Sequence, residues 1–323
     1  MVVALLLAFI GMVLLAPIYI HLLQRLGFGK QIRTDGPEAH YGKAGTPTMG
    51  GMLIVGVVLF LAMALRIEDA GTLTPMLTLV GVGILGALDD FVNVRTGIGM
   101  RGRWKLVWQT VVAILAAFYI WNHFNLTGIN VPFVGQFVLE PVLLIGFIAF
   151  VIVGSSNAVN LTDGLDGLAG GVLIFSFVAY LLISLVAIED VKAAQPNLAI
   201  FCALVIGALM GFLWFNVHPA QIFMGDSGAL SLGATLAVVA TVNGQLPLLM
   251  VIGIVFFAVI MSVVIQVLSY KLRGRRVFRM TPLHHHFELI GWAEEKITVR
   301  FWIVAALAGL LGVSIFVTGV SGF

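Results

Sequence analysis

The chain has 323 residues, of which 60% are hydrophobic and 10% charged; mean hydropathy is +1.10 and the formal net charge +2. A water-facing globular surface takes about 25% charged residues, so this composition excludes a soluble enzyme, a disordered chain and a coiled coil. The single cysteine, Cys202, excludes an intrachain disulfide and a cysteine-built metal site.

A bilayer span needs about 20 mostly apolar residues. Ten segments qualify in chain order: 1–23, 47–65, 74–94, 104–122, 141–159, 168–188, 197–215, 228–243, 247–270 and 299–319. The first lacks a basic leader and its first cation, Arg25, follows the apolar run, so it reads as a retained span. Lys43 and Thr48 lie in Lys43-Ala-Gly-Thr-Pro-Thr-Met-Gly-Gly at the start of the second span. A lysine beside the free amides of a helix start suits an anion, and a lysine snorkelling to the interface looks the same. The third span ends in Asp89-Asp90, a pair that suits a divalent cation or a tuned base, or simply a solvated helix end. Lys105 opens the fourth span. In the 123–140 connection, Asn125–Pro132 and Val134–Val138 form either a hairpin or an irregular loop.

The fifth span runs into Asn157-Ala-Val-Asn-Leu-Thr-Asp-Gly-Leu-Asp-Gly. Asn160, Asp163 and Asp166 recur at intervals of three, which on a helical turn puts them on one face. Gly164 and Gly167 let a ligand approach the backbone closely. Asn216-Val-His-Pro-Ala-Gln-Ile-Phe-Met-Gly-Asp-Ser-Gly joins the seventh and eighth spans without a cation, and Asp226 or Ser227 is suited to cap the eighth. The last connection holds Arg273, Arg275, Arg276 and Arg279, then His284-His285-His286. The arginines suit lipid headgroups. The histidines suit phosphate, or Zn²⁺ if partners come from elsewhere.

Fifteen of the 17 Lys and Arg residues, among them Lys30 and Arg33, fall in one alternating set of connections; Arg66 and Lys192 fall in the other. The positive-inside rule places the first set in the cytoplasm and both termini outside. The expected fold is therefore an all-α integral membrane bundle of about ten helices, one polytopic domain over 1–323. An aspartate at the bilayer centre costs about 2.5–3.5 kcal/mol. Five aspartates gathered at one depth, near cytoplasmic span ends, with lysine, asparagine and histidine beside them, have the composition of a phosphoryl-transfer site. There Mg²⁺ is held by one or two carboxylates and by substrate phosphates.

The motifs at Lys43, Asp89-Asp90, Asn157–Gly167, Phe223-Met-Gly-Asp-Ser-Gly and Pro282-Leu-His-His-His-Phe-Glu resemble, in order, those of the bacterial phospho-N-acetylmuramoyl-pentapeptide-transferases. These belong to the polyprenyl-phosphate N-acetylhexosamine-1-phosphate transferase superfamily. The resemblance implies transfer of phospho-N-acetylmuramoyl-pentapeptide from its UDP-linked precursor to undecaprenyl phosphate, giving lipid I and UMP. It implies Mg²⁺ dependence, a place in peptidoglycan synthesis, the bacterial cytoplasmic membrane, contact with membrane lipids, a homodimer, sensitivity to uridine-containing antibiotics, and no nucleic-acid partner. By the same resemblance Asp226 and Asp163 hold the metal, Asp89 keeps the lipid phosphate deprotonated, and Asp90 supports it through Lys105. Asn160 and Asp163 orient the diphosphate. Lys43, Gly164, Leu165, Asp166 and Phe223 form the nucleoside side, with the uracil on Phe223. Asn216, Gln266 and His285 serve the sugar and phosphate side, His285 also in catalysis, and Thr48, His284 and His286 bind substrate. The lipid phosphate attacks the β-phosphorus directly or after an aspartyl-phosphate forms; a phosphate monoester is already an anionic nucleophile, which favours direct attack. The competing readings are the same chemistry on UDP-N-acetylglucosamine, and an ion-coupled transporter.

Overall fold

The structure, a computed structural model, describes residues 1–29, 43, 45–186 and 195–320; the cations Lys30, Arg33 and Lys192 used in the orientation reading lie outside these residues. The helices are α1 (Val2–Arg25), α2 (Gly50–Ala64), α3 (Ala70–Thr96), α4 (Gly102–Phe124), α5 (Pro141–Thr162) and α6 (Leu168–Leu185). They continue with α7 (Pro196–Asn216), α8 (Gly225–Val242), α9 (Leu249–Ile252), α10 (Ile254–Arg273), α11 (Leu283–Leu289) and α12 (Glu294–Val320). Among the described residues nine helices are long and apolar enough to cross a membrane, and α2 is a shorter apolar helix. The chain is an all-α, multi-pass membrane protein.

Helix α8 is the central post, with 89% of its apolar stretch buried against 22% for the peripheral α10. Its sequence explains this position. Gly225, Gly228, Ala229, Gly233 and Ala234 let neighbouring backbones come close, which is how helices pack where lipid removes the hydrophobic drive. Gly86 of α3 approaches so tightly that a Cβ there would stand 2.3 Å from the Asp226 carbonyl oxygen. The α8 hydroxyls are satisfied within the helix, Ser231 Oγ donating to Ser227 O at 2.6 Å and Thr235 Oγ1 to Ser231 O at 2.7 Å. Helix α5 runs antiparallel to it, Ser155 and Ser156 donating to the carbonyls of Gly233 and Leu230. That pairing brings the C-terminal end of α5, with Asp163, beside the N-terminal turn of α8, with Asp226.

Of the two readings of the 123–140 connection the hairpin is the one observed, β1 (Gly128–Val131) pairing antiparallel with β2 (Gly135–Val138). Elsewhere the structure differs from the sequence reading. The ninth span is interrupted at Gly253, between α9 and α10. Helix α12 begins at Glu294, ahead of its apolar run, because the mostly polar segment Glu294–Thr298 continues the same helix. Asp163 and Asp166 do not share a helical face. Helix α5 ends at Thr162 and the chain turns through Gly167, whose φ of 74° a residue with a Cβ adopts only at a cost. The histidine run is not a loop but the short helix α11.

Candidate active site

Neighbouring residues on a helix point about 100° apart, and this separates the two aspartates that end α3. Asp89 turns toward α4. Lys105 Nζ stands 2.6 Å from Asp89 Oδ2 and 2.8 Å from Asp226 Oδ2, and the Met100 N–H donates to Asp89 Oδ1 at 2.5 Å. Asp90 turns toward α8, where its carboxylate accepts the N–H groups of Asp226 and Ser227, each at 3.0 Å. One expectation is thereby corrected: the cap of α8 comes from Asp90 on α3 rather than from Asp226 or Ser227, and the hydrogen bonds of Asp90 run to α8. The α8 N-terminus supplies partial positive charge to that buried carboxylate.

The Asp226 side chain is 22% exposed and Lys105 24%, whereas Asp89 is 3% exposed. An ammonium already sits between two carboxylates at contact distance, so the geometry accommodates a cation, and the donors are hard oxygens suited to Mg²⁺. Of the two carboxylates, Asp226 is the more open.

A second cluster lies on the turns. Lys43 Nζ contacts Asp166 Oδ1 at 2.8 Å and Glu294 Oε1 at 2.6 Å. The other Asp166 oxygen meets His218 Nδ1 at 2.9 Å and accepts the Ala220 N–H at 3.1 Å. Burial alone would lower the Lys43 pKa, but hydrogen bonds to Asp166 and Glu294 and their charges outweigh it and raise it above 10.5, so the ammonium is fixed. Asp166, His218 and Glu294 bring ligand atoms within 4.8 Å of one another, and the Lys43 ammonium is bound to two of them, Asp166 and Glu294. Sequence reading found Lys43 and Asp166. It missed His218 and Glu294, for which the only signal was a histidine and an acid at the ends of otherwise apolar helices.

The remaining predicted residues are placed as follows. The 47–51 segment pairs with 223–224, Phe223 N–H donating to Pro47 O and the amides of Gly50 and Gly51 to the carbonyls of Phe223 and Met224. This sets half-buried Phe223 and buried Thr48 next to the start of α8, where a Cβ on Gly225 would stand 2.9 Å from Thr48 Oγ1. Leu165 is buried in the turn, Gly164 and Asn160 half-buried beside it. His284 packs on that turn: a Cβ on Gly164 would fall 2.3 Å from His284 Nε2. His285 Nδ1 lies 2.5 Å from Glu288 Oε2, and His286 Nδ1 accepts the Arg279 N–H. Asn216 and Gln266 turn their amides to the backbone. Asn216 joins Gly167 N to Ile222 O, and Gln266 holds Val277 and Phe278. Both therefore shape loops at the site.

The Glycosyl transferase family 4 profile matches residues 72–244. Over 321 residues the chain is 44% identical to the phospho-N-acetylmuramoyl-pentapeptide-transferase of a Geobacillus species, covering 98% of this chain and 97% of the relative. Proteins of the same name from Anoxybacillus flavithermus and Bacillus anthracis are 42% and 43% identical, covering 96% and 95% of this chain and 95% of each relative. The chain belongs to the phospho-N-acetylmuramoyl-pentapeptide-transferase family. As a member it is a membrane phosphoglycosyl transferase, which decides against the transporter reading. The profile match covers α3 to α8 and so contains Asp89, Asp90, Lys105, Asp163, Asp166 and Asp226. Lys43, His284 and Glu294 lie outside it, in the stretches that the full-length relatives share.

Proposed function

We propose that the protein transfers phospho-N-acetylmuramoyl-pentapeptide from its UDP-linked precursor to undecaprenyl phosphate, giving lipid I and UMP, the first membrane step of peptidoglycan synthesis. The observation that carries this is the Lys105 ammonium bridging Asp89 and Asp226 across three different helices. Two carboxylates beside one ammonium leave room for a divalent cation, which together with Lys105 would grip and neutralise a diphosphate, and the reaction needs little else beyond positioning.

The chain's own groups divide the work. An oxygen of the lipid phosphate attacks the β-phosphorus; the bond from that phosphorus to the bridging oxygen breaks, and UMP leaves with the oxygen. Lys105 offers its ammonium to the charge that grows on the phosphoryl oxygens. Asp89 keeps that ammonium in place and keeps the incoming phosphate ionised. Asp90 fixes the backbone of Asp226 through its two accepted N–H groups. Asp226 and Asp163 hold Mg²⁺, which when bound neutralises charge on the diphosphate. Asn160 orients that diphosphate, Lys43 and Asp166 hold the nucleoside, and Phe223 stacks on the uracil, while His285 serves the sugar phosphate. The site faces the cytoplasm, with both termini outside and the protein in the bacterial cytoplasmic membrane, because the cations crowd the connections on the side of the aspartates. A homodimer is the assembly the family resemblance implies, and cross-linking in membranes tests it.

The test is UMP release by purified protein in detergent with both substrates. Release that requires polyprenyl phosphate and Mg²⁺ is expected. Competition between UDP-N-acetylmuramoyl-pentapeptide and UDP-N-acetylglucosamine fixes the sugar, and a phosphorylated aspartate formed without lipid phosphate would overturn direct attack.

A further inference from the structure

The turn after α5 has backbone groups that no helix or sheet satisfies, and from Leu165 to Gly167 it is buried. Buried N–H and C=O groups must find partners. Three of them find theirs on one helix. Glu294 Oε1 accepts the Asp166 N–H at 2.6 Å, Thr298 Oγ1 donates to Asp166 O at 3.3 Å, and Trp302 Nε1 donates to Gly167 O at 3.2 Å. These residues recur every fourth position, so they form a single stripe along the first turns of α12. The same Glu294 oxygen also takes the Lys43 ammonium at 2.6 Å. Trp302 is seated against α6, since a Cβ on Gly171 would fall 2.0 Å from its Nε1.

We infer that the Glu294–Thr298–Trp302 stripe of α12 is a positioning device for the UDP end of the substrate, setting Asp166 and Lys43 from behind. The inference rests on the proposed nucleoside role of those two residues. Glu294 ties them together, although they lie 123 residues apart in the chain. Thr298 and Trp302 fix the plane of the turn that carries Asp166. With its backbone held, the Asp166 carboxylate keeps its direction toward Lys43, His218 and Ala220.

Steady-state kinetics of UMP release with full-length protein in detergent test this. Glu294→Ala is expected to raise KM for the UDP-linked substrate about tenfold, the value of one hydrogen bond to a charged group. It should leave kcat and the KM for polyprenyl phosphate within about twofold. Glu294→Gln, which keeps an acceptor for the Asp166 N–H, should recover part of the loss. Thr298→Val and Trp302→Phe, both close in shape, should shift the same KM in the same direction by less. Equal losses in kcat and in both KM values, in step with a fall in thermal stability, would show a merely structural role and overturn the inference. So would a Glu294→Ala enzyme with an unchanged KM for the UDP-linked substrate. Protection against thermal unfolding by added UMP reads the pocket without turnover. If wild type and Glu294→Ala are protected equally, the stripe fails while the transferase reading stands; if wild type is protected but turns nothing over, the transferase reading fails and the protection of Glu294→Ala still decides the stripe.

Discussion

The two charged clusters are built in opposite ways. The Asp89–Lys105–Asp226 centre is carried by helices that pack along one another, so its side chains inherit the rigidity of α3, α4 and α8. The Lys43–Asp166–Glu294 cluster is carried by turns and helix ends, and Lys43 and Glu294 meet across 251 residues of chain. The first arrangement suits charge stabilisation in the transition state, which needs fixed dipoles. The second suits recognition, where a pocket is assembled from whichever segments reach it.

On that division, substitutions in the first cluster act on turnover and those in the second on affinity. The largest effect is expected from Asp226→Ala, with UMP release falling by about 10²–10³-fold at saturating substrate and Mg²⁺. Asp89→Ala and Asp163→Ala should also lose most activity, all three still inserting and folding, as size-exclusion chromatography in detergent checks. Near-normal turnover by Asp226→Ala would break the comparison at its root. Chelation with EDTA should abolish release, and added Mg²⁺ should restore it. Lys105→Met, which leaves Asp89 and Asp226 facing each other without their cation, should cost about 10²-fold in kcat and little in either KM. Lys43→Met, in the second cluster, should raise KM for the UDP-linked substrate about tenfold with a smaller change in kcat.

The smallest effects concern pH and lipid. The raised Lys43 pKa means its pairing contributes fully below the ordinary value of 10.5 and is lost only as pH rises above that. Titration of Lys43 should therefore leave the nucleotide KM flat between about pH 7 and 9. Arg275→Ala should lower activity about twofold in anionic vesicles and not in neutral detergent, because an arginine at the interface is attracted to anionic headgroups.

Much of this was legible in the sequence. Apolar runs separated by polar connections gave the spans, since lipid forces hydrophobic length into view. The aspartates stood out because only 10% of the chain is charged. What stayed hidden was direction. Asp89 and Asp90 read as one pair, yet the helical screw sends one to Lys105 and the other to the amides of α8. Asp163 and Asp166 looked like one helical face until glycines ended the helix between them and α6. Asn216 and Gln266 have the composition of ligands but spend their amides on backbone. Glu294 could not be found from periodicity, because its partners lie in distant turns that only the assembled bundle brings together.

The close approach of Gly86 to the Asp226 carbonyl has a practical outcome. The main chain at this point is wedged by a neighbouring helix and tied by Asp90, so its location owes little to its own carboxylate. Exchanging that group for an amide of equal shape, as in Asp226→Asn, should arrest chemistry while leaving the cradle intact. Such a protein would be a route to capturing both substrates together in a frozen, unreacted assembly.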